Sequence, residues 1–349
     1  MTGLYLDPET GVSINTHSML KTFRRCPKQA EYKYVERLKP KVMGKPLRRG
    51  VWFHALLEAY YKGEDWMAKH DELTAEFANF FEEEREAMGD LPNECLNMMR
   101  GYLWHYKHES WIIHEVEFTL ETEFPDGSLY RGRVDMLIED QYGLWIVDHK
   151  THKTLPNMDF RLLDAQSALY IWAAHRNKIP VMGHIWNYVK AKPPTKPALL
   201  KSGLRLSQRS IETDYPTFAL AIKEYGLDPK QYAHELRRLK AMRYEPGMMQ
   251  TSPFYRRDVL EKSKDMLKQV AQEAYHTARR MEAYNFGSGF AERVVDRSCT
   301  YMCSYTDLCS MELFGGNPEQ IRRTRYTVGD PMDYYHDKET KDENTSDQN

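Results

Sequence analysis

Asp135, Asp148 and Lys150 are the residues of this chain whose types and spacing could do chemistry. They lie in two apolar runs rich in β-branched residues, Leu129 to Glu139 (LYRGRVDMLIE) and Leu144 to Thr151 (LWIVDHKT), separated by Asp140-Gln141-Tyr142-Gly143. A short glycine-containing loop between two such runs predicts a β-hairpin. With Glu139 facing Leu144, the pairing runs back to place Asp135 opposite Asp148, and strand alternation puts Asp148 and Lys150 on one face. The neighbours Val134, Met136, Ile146 and Val147 belong to a core rather than to a solvated loop. Two carboxylates so close in an apolar setting call for a cation between them. Hard carboxylate oxygens suit Mg2+ or Mn2+, which keep waters and complete their coordination on phosphate. Water on such a cation has a lowered pKa and can attack phosphorus, and a nearby lysine can orient it or offset the developing charge. A lone D-x-K is more often a solvated turn than a site, so the residues around it decide.

A second chemical signal comes from the cysteines, five in all, at 26, 95, 299, 303 and 309. Three fall within eleven residues (CTYMCSYTDLC) and a fourth, Cys26, lies far upstream. In a reducing compartment such thiols are metal ligands more often than disulfides, and thiolates select zinc or an iron–sulfur cluster. Cys95, in the helical stretch NECLNMMRGYLW, reads as a core residue.

The elements that must position these groups follow from periodicity. Residues 18–39, 49–62, 72–85 and 94–107 read as helical, the first beginning or restarting at Pro27. His54 and Glu58 share a face of the second. Residues 111–124 alternate as a strand and carry Glu115 and Glu117; 159–175 reads as a helix and 182–189 as a strand. Lys190 to Arg209 holds six lysines and arginines and no acid (Lys190, Lys192, Lys196, Lys201, Arg205 and Arg209), and reads as an exposed connection. With Arg256-Arg257 it is the candidate for phosphate contact, set against the commoner reading of a solvated face. Helices are expected again at 215–225, 231–240 and 256–281. The polar, acidic stretch from 327 to 349 reads as a disordered tail after a single domain spanning 1–326. Helices, a three-stranded meander, then helix and strand predict an α/β fold: a central mixed sheet flanked by helices.

Six short patterns occur in one order and together resemble the PD-(D/E)XK nuclease superfamily, specifically its RecB-like exonuclease branch, which includes AddB-like, CRISPR-associated and phage exonucleases. They are Ser18-Met19-Leu20 with Cys26-Pro27; Gly50, His54 and Leu57-Glu58; Gly132-Arg133-Val134-Asp135; Val147-Asp148-His149-Lys150-Thr151; Gln166 and Tyr170; and Cys299, Cys303 and Cys309. The resemblance implies a restriction-endonuclease-like core with a catalytic Mg2+ or Mn2+ held by His54, Asp135, Asp148 and the carbonyl of His149. Glu117 matches a first-strand glutamate, with Glu115 as its competitor. Lys150 is implied as the catalytic lysine, and Gln166 and Tyr170 as positioning residues near DNA. Cys26, Cys299, Cys303 and Cys309 are implied to hold a 4Fe-4S cluster joining the first helix to the C-terminal region. Three residues separate Cys299 from Cys303 where the family has two, which keeps zinc open as the alternative.

With 349 residues, 41% of them hydrophobic and 29% charged, the chain can bury a full core. A formal net charge of -2 means that a nucleic-acid partner must be held by a local surface rather than by the overall field. No apolar run approaches the roughly 20 residues needed to cross a bilayer, and the N-terminus lacks the pattern of a secretory signal, so a cytoplasmic location is expected. The expected activity is hydrolysis at DNA ends in recombination, repair or phage DNA processing. CRISPR spacer trimming and a catalytically idle DNA- or partner-binding module are the alternatives.

Overall fold

A computed structural model of the protein describes residues 5–7, 10–201, 203–207, 210–286 and 291–333. The chain opens with a short strand, β1 (Ile14–Asn15), then α1 (His17–Arg25), α2 (Pro27–Ala30), β2 (Leu38–Pro40) and a helical block of α3 (Lys45–Tyr61), α4 (Trp66–Ala78), α5 (Glu82–Met88) and α6 (Leu91–His105). The meander β3 (Ile112–Glu123), β4 (Leu129–Asp140) and β5 (Gly143–His152) follows. Then come α7 (Met158–Leu162), α8 (Ala165–Arg176), β6 (Val181–Lys190), α9 (Tyr215–Glu224), α10 (Ala233–Lys240), β7 (Tyr255–Leu260) and α11 (Lys264–Ala283). The chain closes on α12 (Thr306–Leu313), α13 (Pro318–Arg325) and β8 (Tyr326–Val328).

Local chemistry places many of the helix starts. The Thr16 side chain accepts from the Met19 amide, Asp164 from Gln166 and Ser167, and Ser263 from Met266, each satisfying an amide that a first turn leaves without a partner.

One mixed sheet organises the molecule, in the order β1-β4-β5-β6-β7, with β3 on the other edge of β4. β3, β4 and β5 are antiparallel, β6 runs parallel to β5 after the α7–α8 crossover, and β7 returns antiparallel. Leu137 and Ile146 face a core shared with α1, α8 and α11, whereas Met136 and Val147 face the opposite side with Tyr61 and Trp111. The mixed sheet flanked by helices is the fold class expected from the sequence.

Five expectations need correction. The stretch 18–39 is not helical to its end, because Leu38–Pro40 forms β2 and pairs with the C-terminal strand, and 72–85 is two helices, α4 and α5, broken at residues 79–81. The stretch 256–281 is not one helix. Tyr255–Leu260 pairs with β6, and the helix starts only after Ser263 caps it. The stretch 159–175 is likewise two helices, broken between Leu163 and Asp164, where the Asp164 cap starts α8. The polar C-terminal stretch begins later than 327, because Tyr326–Val328 pairs with Leu38–Pro40 and Met332 is buried. Residues 334–349 lie outside the described residues.

Gly183 of β6 sits where a Cβ would lie 2.3 Å from the Leu260 carbonyl oxygen and 3.0 Å from the Trp145 ring. Backbone of β7 would have to shift to admit it. Gly183→Ala is therefore expected to lower the unfolding free energy in urea by about 1–3 kcal/mol. Gly44→Ala, at the N-cap of α3 with only Pro46 Cδ at 3.9 Å and an ordinary φ of -64°, is expected to cost less, about 0.5–1 kcal/mol from the poorer cap.

Candidate active site and metal centre

The centre forms where β4 and β5 part. Their ladder runs from Asp140–Gly143 to Met136–Val147 and stops one pair short of Asp135 and Asp148. Beyond that point β5 stays paired with β6 as far as His152, while the same edge of β4 is next taken up by β1 at Leu129–Tyr130. Asp135 and Asp148 thus flank the point where the strands part, both buried; the hairpin register expected them to face each other across the ladder, and the ladder ends one pair before them. The amide of His149 donates to Asp135 Oδ2 at 2.6 Å, reaching across the gap.

Asp148 is in contact with the Lys150 ammonium, the two side chains sharing a face of β5. His54 comes from α3, its Nδ1 3.6 Å from Asp135 Oδ2. Glu117 comes from β3, opposite Asp135 in the register set by Val116–Met136 and Phe118–Val134. Its backbone has φ of +55°, a left-handed conformation uncommon for a non-glycine residue and strained in the middle of a strand. Ligand atoms of His54, Glu117 and Asp135 all lie within 4.8 Å of one another. Of the two first-strand glutamates, Glu117 is the one at the centre; Glu115 is exposed and registers with Leu137.

Charges at the centre do not balance. Glu117 is answered by Arg133 Nε at 2.7 Å, and Asp148 by Lys150. Among the described residues, Asp135 meets a backbone amide and the His54 ring and no cationic side chain in an ion pair. Burial pushes the Asp135 carboxyl up to about 7 and that of Asp148 up to about 6, with Lys150 acting against the rise in both. Burial also holds His54 below its usual value, with Lys150 adding to it, so the ring is neutral at pH 7 and able to act as a ligand. For Lys150, burial disfavours the charge, but Asp148 and Asp135 outweigh it and keep the ammonium protonated. A neutral imidazole with two carboxylates and one uncompensated charge fits a divalent cation bound through oxygen and nitrogen.

Gln166 and Tyr170 lie one turn apart on α8 and link the two parted strands. Gln166 Nε2 donates to Asp148 Oδ1 at 3.4 Å and to the Tyr170 hydroxyl at 3.0 Å; that hydroxyl donates to the Arg133 carbonyl at 2.8 Å. Gly132 makes this approach possible, since a Cβ there would lie 2.7 Å from the Tyr170 ring. The side chain of His149 points away from Asp148 and Lys150. Its Nδ1 accepts from Asn187 Nδ2 at 2.7 Å and its ring stacks on Tyr61. Arg133 and Asn187 were not assigned roles in the sequence. A lone asparagine inside the apolar run HIWNYVK was the available signal for the second.

Cys26, Cys299, Cys303 and Cys309 line one pocket of about 100 Å³, with Lys28, Tyr32 and Arg293 around them. Cys95 is fully buried in the α3–α6 core, as expected, and burial pushes its thiol up to about 12. The basic connection is not a bare charged surface. Lys190 and Lys192 meet Glu212, Lys196 meets Glu224, and the segment folds back on itself with Ser207 bonded to Ala198. Lys201 and Arg205 are exposed, and Arg209 lies outside the described residues. Arg257 cannot touch phosphate as it stands. It is buried against Tyr106 and Trp111 and paired with Glu109. Arg256 pairs with Asp258. Among the described residues no helix is long and apolar enough to cross a membrane.

Residues 15–310 match the model of the PD-(D/E)XK nuclease superfamily, and the chain belongs to that family. It is a nuclease of a class that uses divalent metals. No curated protein matches the sequence. Among solved structures it is similar to the protein SSO0001, with 11% identity over 87% of this chain and 88% of that one and a TM-score of 0.33. It is also similar to a protein described as a candidate exonuclease from Eubacterium rectale, with 12% identity over 66% of this chain and 82% of that one and a TM-score of 0.34.

A carboxyl raised in the fold binds its proton more tightly there than in the unfolded chain. Its contribution to stability is full below the unfolded pKa and is lost as the pH rises through the folded value. In EDTA, Asp135→Asn should therefore gain stability relative to wild type as the pH goes from 5 to 8, by on the order of 2 kcal/mol. Urea unfolding of both proteins across that range, read as a difference, removes the buried histidines that titrate in both. A flat difference would mean that Asp135 is not held in its protonated form.

Proposed function

We propose that this chain is a Mg2+- or Mn2+-dependent deoxyribonuclease that hydrolyses phosphodiester bonds at DNA ends, as an exonuclease serving recombination, repair or phage DNA processing. The convergence of His54, Glu117 and Asp135 beside the Asp148–Lys150 pair carries the reading. Three strands and one helix spend buried polar groups and a strained Glu117 backbone on it, which a module that only binds DNA does not require. The end-directed part rests on the RecB-like layout, with a histidine helix, the Gln166–Tyr170 helix and four cysteines drawn to one pocket.

In this reading His54, Glu117, Asp135, Asp148 and the His149 carbonyl would hold the cation. A cation there would supply Lewis-acid stabilisation of charge at phosphorus and an acidified water. Arg133 pairs with Glu117 at 2.7 Å. Lys150, held charged by the two aspartates, faces the negative charge that builds on the phosphate oxygens. Gln166 and Tyr170 are positioning residues that fix the distance between the two metal strands. An imidazole in the ligand set favours Mn2+ over Mg2+ in affinity.

Linear DNA should be degraded in Mg2+ or Mn2+ and not in EDTA, with closed circular DNA spared. Lys150→Ala and Asp135→Asn should each lower kcat by about 10²–10⁴-fold on end-labelled substrate. A folded, metal-loaded protein that cuts neither substrate would overturn the enzyme reading and leave the binding module.

The four cysteines are proposed to hold a 4Fe-4S cluster. Protein purified without oxygen should be brown and carry iron and sulfide, and Cys26→Ser should lose the colour and several degrees of Tm. A colourless protein carrying zinc would replace the cluster with a structural zinc site.

A further inference from the structure

The crossover from β5 to α8 carries a feature that the metal centre does not use. In one turn, α7 and the residue after it present Phe160, Leu162 and Leu163 to solvent, at 63%, 49% and 80% exposure. Scattered single apolar residues on a surface are ordinary, but three large ones adjoining a reaction centre are a contact surface.

This turn is pinned from below. Arg161, between Phe160 and Leu162, is buried; it pairs with Asp164 at 3.2 Å, meets His152 Nε2 at 3.3 Å and lies 4.3 Å from the centre of the Trp186 ring. The Lys262 ammonium donates to the carbonyls of Arg161, Leu162 and Asp164. Two cations thus hold a short backbone segment in place while its apolar side chains face outward. Such an arrangement has a use when the apolar groups must meet something in a defined position.

It also lies near the centre, linked to it through the buried Arg161 and Trp186. The Phe160 ring is 5.6 Å from the Arg161 guanidinium, Arg161 is 4.3 Å from the Trp186 ring, and the Lys150 ammonium is 5.4 Å from that same ring. Asp164 caps the helix that brings Gln166 to Asp148. A strand whose phosphate sits at Lys150 therefore carries its neighbouring bases within reach of the turn, given the rise of about 3.4 Å per nucleotide of a stacked strand.

We infer that Phe160, Leu162 and Leu163 form a nucleobase platform, on which a base flanking the scissile phosphate of a DNA strand packs. This deepens the nuclease reading and rests on it. Base contact of this kind is tolerant of sequence, because every base has an apolar face. It also supplies affinity that the neutralised lysines of the basic connection do not.

The test uses the full-length protein with Mn2+ and two oligothymidylate substrates of equal length, one intact and one carrying three abasic sites at each end. The wild type should show a KM about ten-fold lower for the intact strand, from packing worth about 1–3 kcal/mol per base. In the double variant Phe160→Ser, Leu163→Ser that ratio should fall to near one, through a higher KM for the intact strand. The single variant Phe160→Trp should keep the ratio, and its added fluorescence should be quenched by the intact strand and not by the abasic-ended one. An unfolding midpoint matching wild type keeps the double variant interpretable, and the Phe160→Trp signal reads the platform without removing it. A double variant that retains the ten-fold preference, or a wild type that lacks it while still cutting DNA, would overturn the platform and leave the nuclease reading intact. A change in oligomeric mass with unchanged KM would assign the turn to a protein contact instead. Absence of cleavage on both strands would be the failure of the nuclease reading itself.

Discussion

Everything in this structure depends on β4 and β5 separating one residue pair before Asp135 and Asp148. Had the ladder continued, the two carboxylates would sit as an ordinary cross-strand pair, destabilising and without room for a cation. By parting there, the strands leave Asp135 and Asp148 buried yet facing a gap. The burial that raises both carboxyls makes two ionised groups there costly without a cation close by. The gap must be kept at one width, and α8 does this by bonding to both sides of it, through Gln166 to Asp148 and through Tyr170 to the Arg133 carbonyl.

That constraint explains residues that seem unrelated in the sequence. Gly132 is small because the Tyr170 ring lies against β4 at that point. Arg133 follows it and pairs with Glu117, whose backbone is strained, at 2.7 Å. Asn187 interrupts an apolar strand because the ring of His149, on the far face of β5, needs a partner for its buried Nδ1. Fixing that ring fixes the peptide whose amide bonds to Asp135 and whose carbonyl is the proposed metal ligand. β5 is thus held from both faces of the sheet, by α8 on one and by the His149–Asn187 pair on the other.

The hairpin and its register were legible in the sequence because strand alternation and a four-residue turn leave little freedom, and the register decided which side chains share the cleft. Asp148 and Lys150 followed directly. Residues that arrive from other elements, His54, Glu117, Gln166 and Tyr170, were reachable only through the order of short patterns, since no local rule says that α3 or β3 ends beside β4. β7 was lost inside a long helical pattern because YRRDVL has too few residues to show a period of two against the helix that follows. The basic connection misled for a different reason. Its counter-charges, Glu212 and Glu224, lie outside the run that was counted, and only the fold brings them in.

The cysteine pocket and the metal centre are joined by the same N-terminal segment. β1 occupies the edge of β4 that β5 abandons, the capped α1 packs its Met19, Leu20 and Phe23 into the core behind α8 and α11, and Cys26 ends it at the pocket wall. A group bound by all four cysteines would therefore tie Cys26 to residues 299–309 and stop α1 from moving relative to the C-terminal helices. Because α1 shares its core with α8, loosening one end gives freedom to the helix that sets the width of the cleft. Such coupling predicts that loss of the pocket's ligand acts on the geometry of a centre it does not touch, through packing rather than charge.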